Sequence, residues 1–343
     1  MKRMLKKVSV LLCLSLIISV FTACDGGNSP SAEVGDNGFE KITIRYGNPY
    51  NEETSQGQAL NYFKELVEEG SGGNITVDIF HGGTLGSEQN HIQAQKDGSI
   101  EMLFSGTAGI GLYVPELAVL ESFFAFDSND ELNATLDSVW TDIDQAMQDE
   151  GFKLLGVFND ASTRQILSST PINSFEDASG LKMRTPSSPI YIECITALGM
   201  QSVTMPLGDV YTSLQTNAIA AMEGTIDIVR NQKFFEQAKY YIETEHVFPA
   251  LYVTYNLDAW NNLSENTQVL IADAVEQSVS YQNELSEKNL NESIEFLKEA
   301  GIEFIQIEDR DVWREAVKDT AKKYASEQGP LGETIFANIP KLQ

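Results

Sequence analysis

Residues 41–46 read KITIRY, residues 74–80 NITVDIF and residues 100–104 IEMLF. The first two alternate apolar and polar side chains, the period of a half-buried strand, and the third reads as another strand. Between them, Gln56–Glu69 sets Ala59, Tyr62, Phe63, Leu66 and Val67 at helical spacing and stops at Gly70-Ser71-Gly72-Gly73. Ser87–Lys96 reads as a second helix, ended by Asp97-Gly98. Strand, helix, strand, helix, strand implies a parallel sheet with helices on both faces. The chain is expected to be α/β.

Later segments continue the alternation. Phe152–Phe158 and Arg164–Leu167 open a second set of strands, and Ser188–Leu198 reads as a helix. Val203–Met205 is a short strand, Gly208–Thr216 a helix, and Ala218–Met222 a small-residue strand. Asp227–Phe235 starts another helical stretch, and Ala250–Asn256 returns as a strand. Ser264–Glu299 forms one or two long helices with few polar residues in the apolar stripe, and Asp311–Ser326 a last amphipathic helix. No sequence repeat is present.

The chain has 343 residues, enough for two domains, and 42% hydrophobic content supports sizeable cores. It carries 50 Asp+Glu against 23 Lys+Arg, a formal charge of −27. That balance argues against nucleic acid, whose phosphates call for clustered cations. It fits solubility in an exposed, salty environment.

The first residues read as an export signal rather than structure. Lys2, Arg3, Lys6 and Lys7 precede the short apolar run Val8–Val20, too short for a comfortable membrane span. Phe21-Thr22-Ala23-Cys24 closes it in the manner of a bacterial lipoprotein cleavage site, with Cys24 as the lipid-bearing first residue. A plain secretory signal with an incidental cysteine is the alternative. Loss of residues 1–23 removes four cations and no acid, so −27 becomes −31. Residues 24–39, rich in Gly, Ser, Pro and Asp, read as a lipidated flexible tether. Cys194, in the apolar helical context Tyr191–Ile195, would then be the one free thiol, which rules out an internal disulfide and reads as a buried structural group.

In so acidic a chain a fixed cation is informative. Arg164 and Arg184 both sit just beyond apolar strand-like runs, Lys153–Phe158 and Gly180–Met183, where α/β folds present ligand groups. The planar fork of a guanidinium matches the two oxygens of a carboxylate. Together they suggest a receptor for an organic anion, although either could instead pair with one of the many acids in the chain.

Several local stretches carry a family likeness. They are Gly82–Gly86 (GGTLG), Ile100-Glu101-Met102, Val114-Pro115-Glu116, Gly180–Pro186 (GLKMRTP), Met205–Thr216 (MPLGDVYTSLQT) and Lys233–Glu236 (KFFE). By their order and spacing the chain resembles the solute-binding proteins of TRAP transporters, the C4-dicarboxylate-binding-like family, over about residues 41–330. The resemblance implies a two-lobed, periplasmic-binding-protein-like α/β fold with crossing strands and a long hinge helix. Lobe one would be 40–161 with 250–288, and lobe two 162–249 with 289–343. It implies a receptor that binds a small organic acid (dicarboxylate, sugar acid or other carboxylate) and delivers it to TRAP membrane subunits, without a cofactor.

By the same resemblance Arg184 clamps the ligand carboxylate and Arg164 is a second ligand arginine. Many relatives have Glu-Asn-Pro where this chain has Glu223-Gly224-Thr225, so the backbone of Gly224, the side chain of Thr225 or a larger ligand group would take the place of the amide. Ser105 and Thr107 offer hydroxyls past the third strand, with Gly106 and Gly109 leaving room for a ligand or forming a plain turn. Asn48 and Tyr50 are cleft candidates by position. Tyr211 and Gln215 match the family but suit helix stabilisation equally. Phe123, Phe124 and Phe126 suit core packing better than the cleft.

Competing functions leave little trace in the residues. His81, His91 and His246 are scattered and form no metal motif. No nucleophile elbow or phosphate loop occurs. A secreted hydrolase is therefore disfavoured, while a ligand-binding subunit of a membrane sensor stays open as an alternative to transport.

Overall fold

The computed structural model describes residue 35 and residues 38–343. The proposed signal, Cys24 and most of the tether lie outside the described residues. The chain forms two mixed sheets. The first is ordered β2-β1-β3-β10-β4, with β1 Ile42–Gly47, β2 Ile75–Phe80, β3 Met102–Gly106, β4 Phe152–Asn159 and β10 Ala250–Asn256. The second is ordered β11-β9-β5-β8-β6-β7, with β5 Arg164–Ser168, β6 Lys182–Thr185, β7 Gln201–Thr204, β8 Ala221–Gly224, β9 Tyr240–Val247 and β11 Glu303–Gln306.

The expected parallel sheet is only half realised. β1 is parallel to β2 and β3, but β10 runs antiparallel between β3 and β4. β4, grouped by sequence with the second set of strands, belongs to the first sheet. The reason lies in β10: all seven of its residues are buried, so it can serve only as an interior strand flanked on both edges. Ala218–Met222, expected as a strand, pairs three residues later as Ala221–Gly224, after a turn at Asn217 with φ 56.

The chain passes between the sheets by two short crossings, residues 160–163 and Phe248-Pro249, and a third time by way of a long helix that leads from β10 to β11. A single 35-residue helix, Glu265–Glu299, runs alongside both layers and packs on the Ser55–Gly70 helix, on β4 and on the Ile226–Asn231 helix. Its N-terminus is held by Glu40, whose carboxylate accepts from Ser264 N (2.5 Å), Ser264 Oγ (3.0 Å) and Thr267 Oγ1. An anion there satisfies orphan donors and complements the helix dipole. The buried stripe begins apolar with Ile271, Ala274 and Val275, then turns polar at Ser278, Gln282, Ser286 and Ser293. The stripe is thus more polar than its sequence suggests, because Ser286 meets the crossing segment at Asp160, Gln282 meets Ser55 and Ser293 meets Asp227.

Helices Arg310–Glu327 and Gly329–Ala337 pack on the Pro115–Glu121 turn. The first also packs on the Pro189–Ala197 helix, and the second on the Asn129–Asp149 helix. Trp313 is fully buried there, edge-on to Phe175 at 5.4 Å and donating through Nε1 to Asp309 (3.0 Å). Cys194 is buried too, and burial pushes its thiol up to about 12. Trp313→Ala should cost about 3–5 kcal/mol of stability. Urea unfolding followed by far-UV circular dichroism would show it as a lowered midpoint with unchanged slope.

Candidate functional site

Three strands of the second sheet bring the chemistry together. Glu223 lies on β8, next to β5 carrying Arg164 and β6 carrying Arg184. Arg164 grips the Glu223 carboxylate with both arms, Nε to Oε2 at 2.5 Å and Nη2 to Oε1 at 2.7 Å. Its guanidinium also lies over the Tyr191 ring, 5.4 Å from the centroid. Arg184 is held differently. Its Nε donates to the Met205 carbonyl (3.1 Å), and Nη1 stands 3.8 Å from Glu223 Oε1. Among the described residues its terminal nitrogens make no hydrogen bond.

His246 completes the group, with Nε2 at 3.7 Å from Glu223 Oε2 and Nδ1 bonded to Thr244 Oγ1 at 2.7 Å. It is aimed there by an irregularity in β9. Pairing with β5 jumps from Ile166↔Ile242 to Arg164↔Val247, and Glu245 adopts φ 47. Such bulges turn a side chain off the regular alternation. Phe123 covers the imidazole at 4.5 Å and meets Tyr191 edge-on at 5.3 Å.

Glu223 is wholly buried, and burial alone would raise its pKa; the Arg164 cation, and after it His246, outweigh this and hold it at about 2. Arg184 is pushed the other way. Burial lowers it, Glu223 supports it, and the neighbouring Arg164 lowers it further. Two buried guanidinium groups thus share one carboxylate, and the charge on Arg184 is left under-compensated. A buried cation in that state stabilises an incoming anion.

The first sheet contributes a polar face of its own. Ser105 Oγ, Thr107 Oγ1, Tyr252 Oη and Glu121 Oε2 are buried and make no hydrogen bond among the described residues. Ser105 and Tyr252 are directly paired across β3 and β10, so they share a face. Tyr50 sits edge-on to Phe104 at 5.4 Å and feels the charges of Glu88, Arg164, Asp160 and Glu121.

The other sequence candidates sit elsewhere or act differently. Asn48 is buried but uses its amide locally, on His81 Nδ1 (2.8 Å) and the Tyr50 N–H (2.9 Å). Tyr211 donates to Glu236 (2.6 Å) and accepts from Gln237 (2.7 Å), binding its helix to the KFFE turn rather than joining the arginines, and Gln215 is exposed. Thr225 is buried at the start of the Ile226–Asn231 helix. Gly224 closes β8, and a Cβ there would meet Met222 Cε at 3.3 Å and Ile228 Cγ2 at 3.7 Å. Phe124 and Phe126 are core residues. Among the described residues no three His, Cys, Asp or Glu side chains converge as a metal would require.

Sequence reading passes over His246, Tyr191, Tyr252 and Glu121 as site residues. A signal existed for Glu121, a lone acid inside the apolar run LAVLESFFAF (117–126). None existed for His246, whose placement depends on the bulge.

Two α/β layers, joined by two crossings and one long helix, with a buried cation pair where they meet, define a two-lobed receptor for a small solute. Residues 46–328 match the family described as bacterial extracellular solute-binding protein, family 7, and the chain belongs to that family. It is 28% identical over 302 residues to the 2,3-diketo-L-gulonate-binding periplasmic protein YiaO of Escherichia coli (strain K12), covering 88% of this chain and 92% of that protein. A TRAP periplasmic solute-binding protein from Roseobacter denitrificans, solved with bound β-D-glucuronate, superposes with a TM-score of 0.80 at 26% identity, over 86% of this chain and 99% of that one. Another from Pseudomonas putida F1, solved with bound D-glucuronate, gives 0.80 at 27% identity, over 86% and 97%. The family is one of extracellular binding proteins, and no described helix is long and apolar enough to cross a membrane.

Glu223→Gln should lower stability by about 3–5 kcal/mol, because it strands two buried cations. Tyr211→Phe should leave stability nearly unchanged, because the hydroxyl it removes is solvent-exposed and water replaces its partners Glu236 and Gln237. The pair is compared by urea unfolding at neutral pH. The sign with pH follows from the depressed pKa. The Glu223 contribution is complete above the ordinary carboxyl value of about 4.3, and it disappears as pH falls through about 2.

Proposed function

We propose that this receptor captures a small sugar acid by its carboxylate, closes its lobes around it and presents it to TRAP membrane subunits. The observation that carries the proposal is the under-compensated charge of Arg184 beside an Arg164 whose Nε and Nη2 are both engaged by Glu223. Arg184 is the direct clamp. Arg164 is a positioning residue that fixes Glu223 and is itself fixed by it, so the two arginines are not equivalent. The sugar-acid choice is supported by the glucuronate bound in the two structural relatives and by the diketogulonate in the name of the Escherichia coli one. The lobes are taken as 40–161 with 250–288 and 162–249 with 289–343, hinged at the two crossings.

Isothermal titration with D-glucuronate tests the clamp. Arg184→Gln should weaken binding by about 2–5 kcal/mol, the range for losing one partner of a desolvated charge pair. Unchanged affinity would move the clamp elsewhere.

The chain is further proposed to be lipid-anchored at the outer face of the cell membrane through Cys24, on the tether 24–39. This rests on the FTAC sequence after an apolar run. Cys24→Ser should shift the expressed protein from the membrane fraction to the soluble exported fraction on fractionation; persistence in the membrane fraction would count against the anchor.

A further inference from the structure

The arginine cluster accounts for one end of a bound acid and leaves Glu121 unexplained. Glu121 is the last residue of the Pro115–Glu121 turn, 5% exposed, and its Oε2 makes no hydrogen bond within the described chain. The Thr107 and Tyr252 hydroxyls are equally buried and meet no partner at hydrogen-bond geometry, yet Thr107 stands close enough to both Tyr252 and this carboxyl to lower their pKa values. Tyr191, on the Pro189–Ala197 helix, also faces Arg164 and acts on this carboxyl. Leaving buried polar atoms unpaired is costly, and folded proteins rarely keep several together without a partner to receive.

Those three side chains have a particular chemistry. A carboxylate accepts only, whereas a threonine or tyrosine hydroxyl both donates and accepts. A ligand hydroxyl answers all of them at once, donating to the carboxylate while accepting from a hydroxyl. A second ligand carboxylate cannot do so, having no hydrogen to donate and a charge of the same sign.

Resting on the arginine-clamp reading above, we propose that Glu121, flanked by Thr107 and Tyr252, is a second ligand subsite that takes a hydroxyl of the held acid and turns away a second carboxylate. The protein then selects hydroxylated monoacids over their diacid counterparts.

Burial raises the Glu121 carboxyl to about 7 against the pull of Arg164, with the Glu223 charge adding to the rise. The other titratable groups on it are Tyr191, Tyr252 and Tyr50, all raised by burial and so neutral near pH 7. Glu223 stays ionised throughout, held at about 2. A ligand hydroxyl donating to Glu121 favours its ionised form, so binding of a monoacid strengthens as pH rises through 7. A second carboxylate favours the protonated form, so diacid binding strengthens as pH falls through the same range. The two slopes have opposite sign.

The test uses isothermal titration of the purified protein with D-glucuronate and with D-glucarate, in which the aldehyde carbon of glucuronate is a second carboxylate. Near pH 8 the wild type should bind glucuronate at least about tenfold tighter, and the ratio should shrink towards pH 6. Glu121→Gln, fixed neutral, should reduce the ratio to roughly threefold or less and flatten its pH dependence. Tyr252→Phe should weaken glucuronate binding by roughly fivefold or more. Glucarate binding as tightly as glucuronate to the wild type at pH 8 would overturn the subsite, as would a Glu121→Gln variant of unchanged ratio. If Glu121→Gln does not fold, the wild-type pH series and Tyr252→Phe decide alone. Binding of neither acid by the wild type would instead bring down the sugar-acid reading, and this inference with it.

Discussion

One carboxylate, Glu223, sets the electrostatics of the whole junction. It is buried completely, and it stays ionised because Arg164 meets both of its oxygens. An ion pair at that depth repays desolvation only when its geometry is nearly ideal, and this one is bidentate. Arg184 receives the remainder, a 3.8 Å contact with an oxygen already engaged. The asymmetry is the functional point. Had both arginines carried their own carboxylate, the site would be neutral and indifferent to anions. With neither, the two cations would repel across the strand that separates them, β8.

The same corner is tied to the crossing from β4 to β5. Ser162, in the crossing from β4 to β5, accepts from the Ile226 N–H just beyond Glu223-Gly224-Thr225 (3.1 Å). Asp160 in that crossing accepts from Ser162 N (3.0 Å) and from Ser286 Oγ of the long helix (2.6 Å), while Ser286 accepts from Ala161 N (2.9 Å). Lobes that move against each other must bend at such a segment, and hinge positions absorb the change in backbone angle. The polar half of the helix stripe therefore has a physical role. Directional bonds fix the register of the crossing against the helix, which an interchangeable apolar contact would not do.

Local periodicity carried much of the fold. β1, β2 and the long helix follow from spacings of two and of about three and a half, because each buries mainly one face along its own length, whereas β3 and β10 read as short apolar runs because both of their faces are buried. The Asn129–Asp149 helix was legible but unread. Ser128 and Glu131 make a capping pair, with Ser128 accepting from Glu131 N (3.2 Å) and Glu131 accepting from Asp127 N (2.9 Å). The short edge strand Glu303–Gln306 offers four residues and no pattern that would distinguish it. In the site, the two arginines were legible because cations are scarce in this chain. Their shared partner was not, since the choice of one acid among 50 is made by strand order.

Strand alternation also decides what Gly224 means. Successive residues of a strand point to opposite faces, and Glu223 points at the arginines. A side chain on Gly224 would start on the other face, against Met222 and Ile228. The absence of an amide there removes little from the face that carries the cations. What the corner can offer on that face is Glu223 itself, the backbone around it and, one alternation further in extended backbone, Thr225. Selectivity must then come from across the junction, from the unpaired hydroxyls of β3 and β10 and the acid that closes the Pro115–Glu121 turn. On the proposed reading, the arginine side recognises that a ligand is an acid, and the facing side is left to recognise which acid it is.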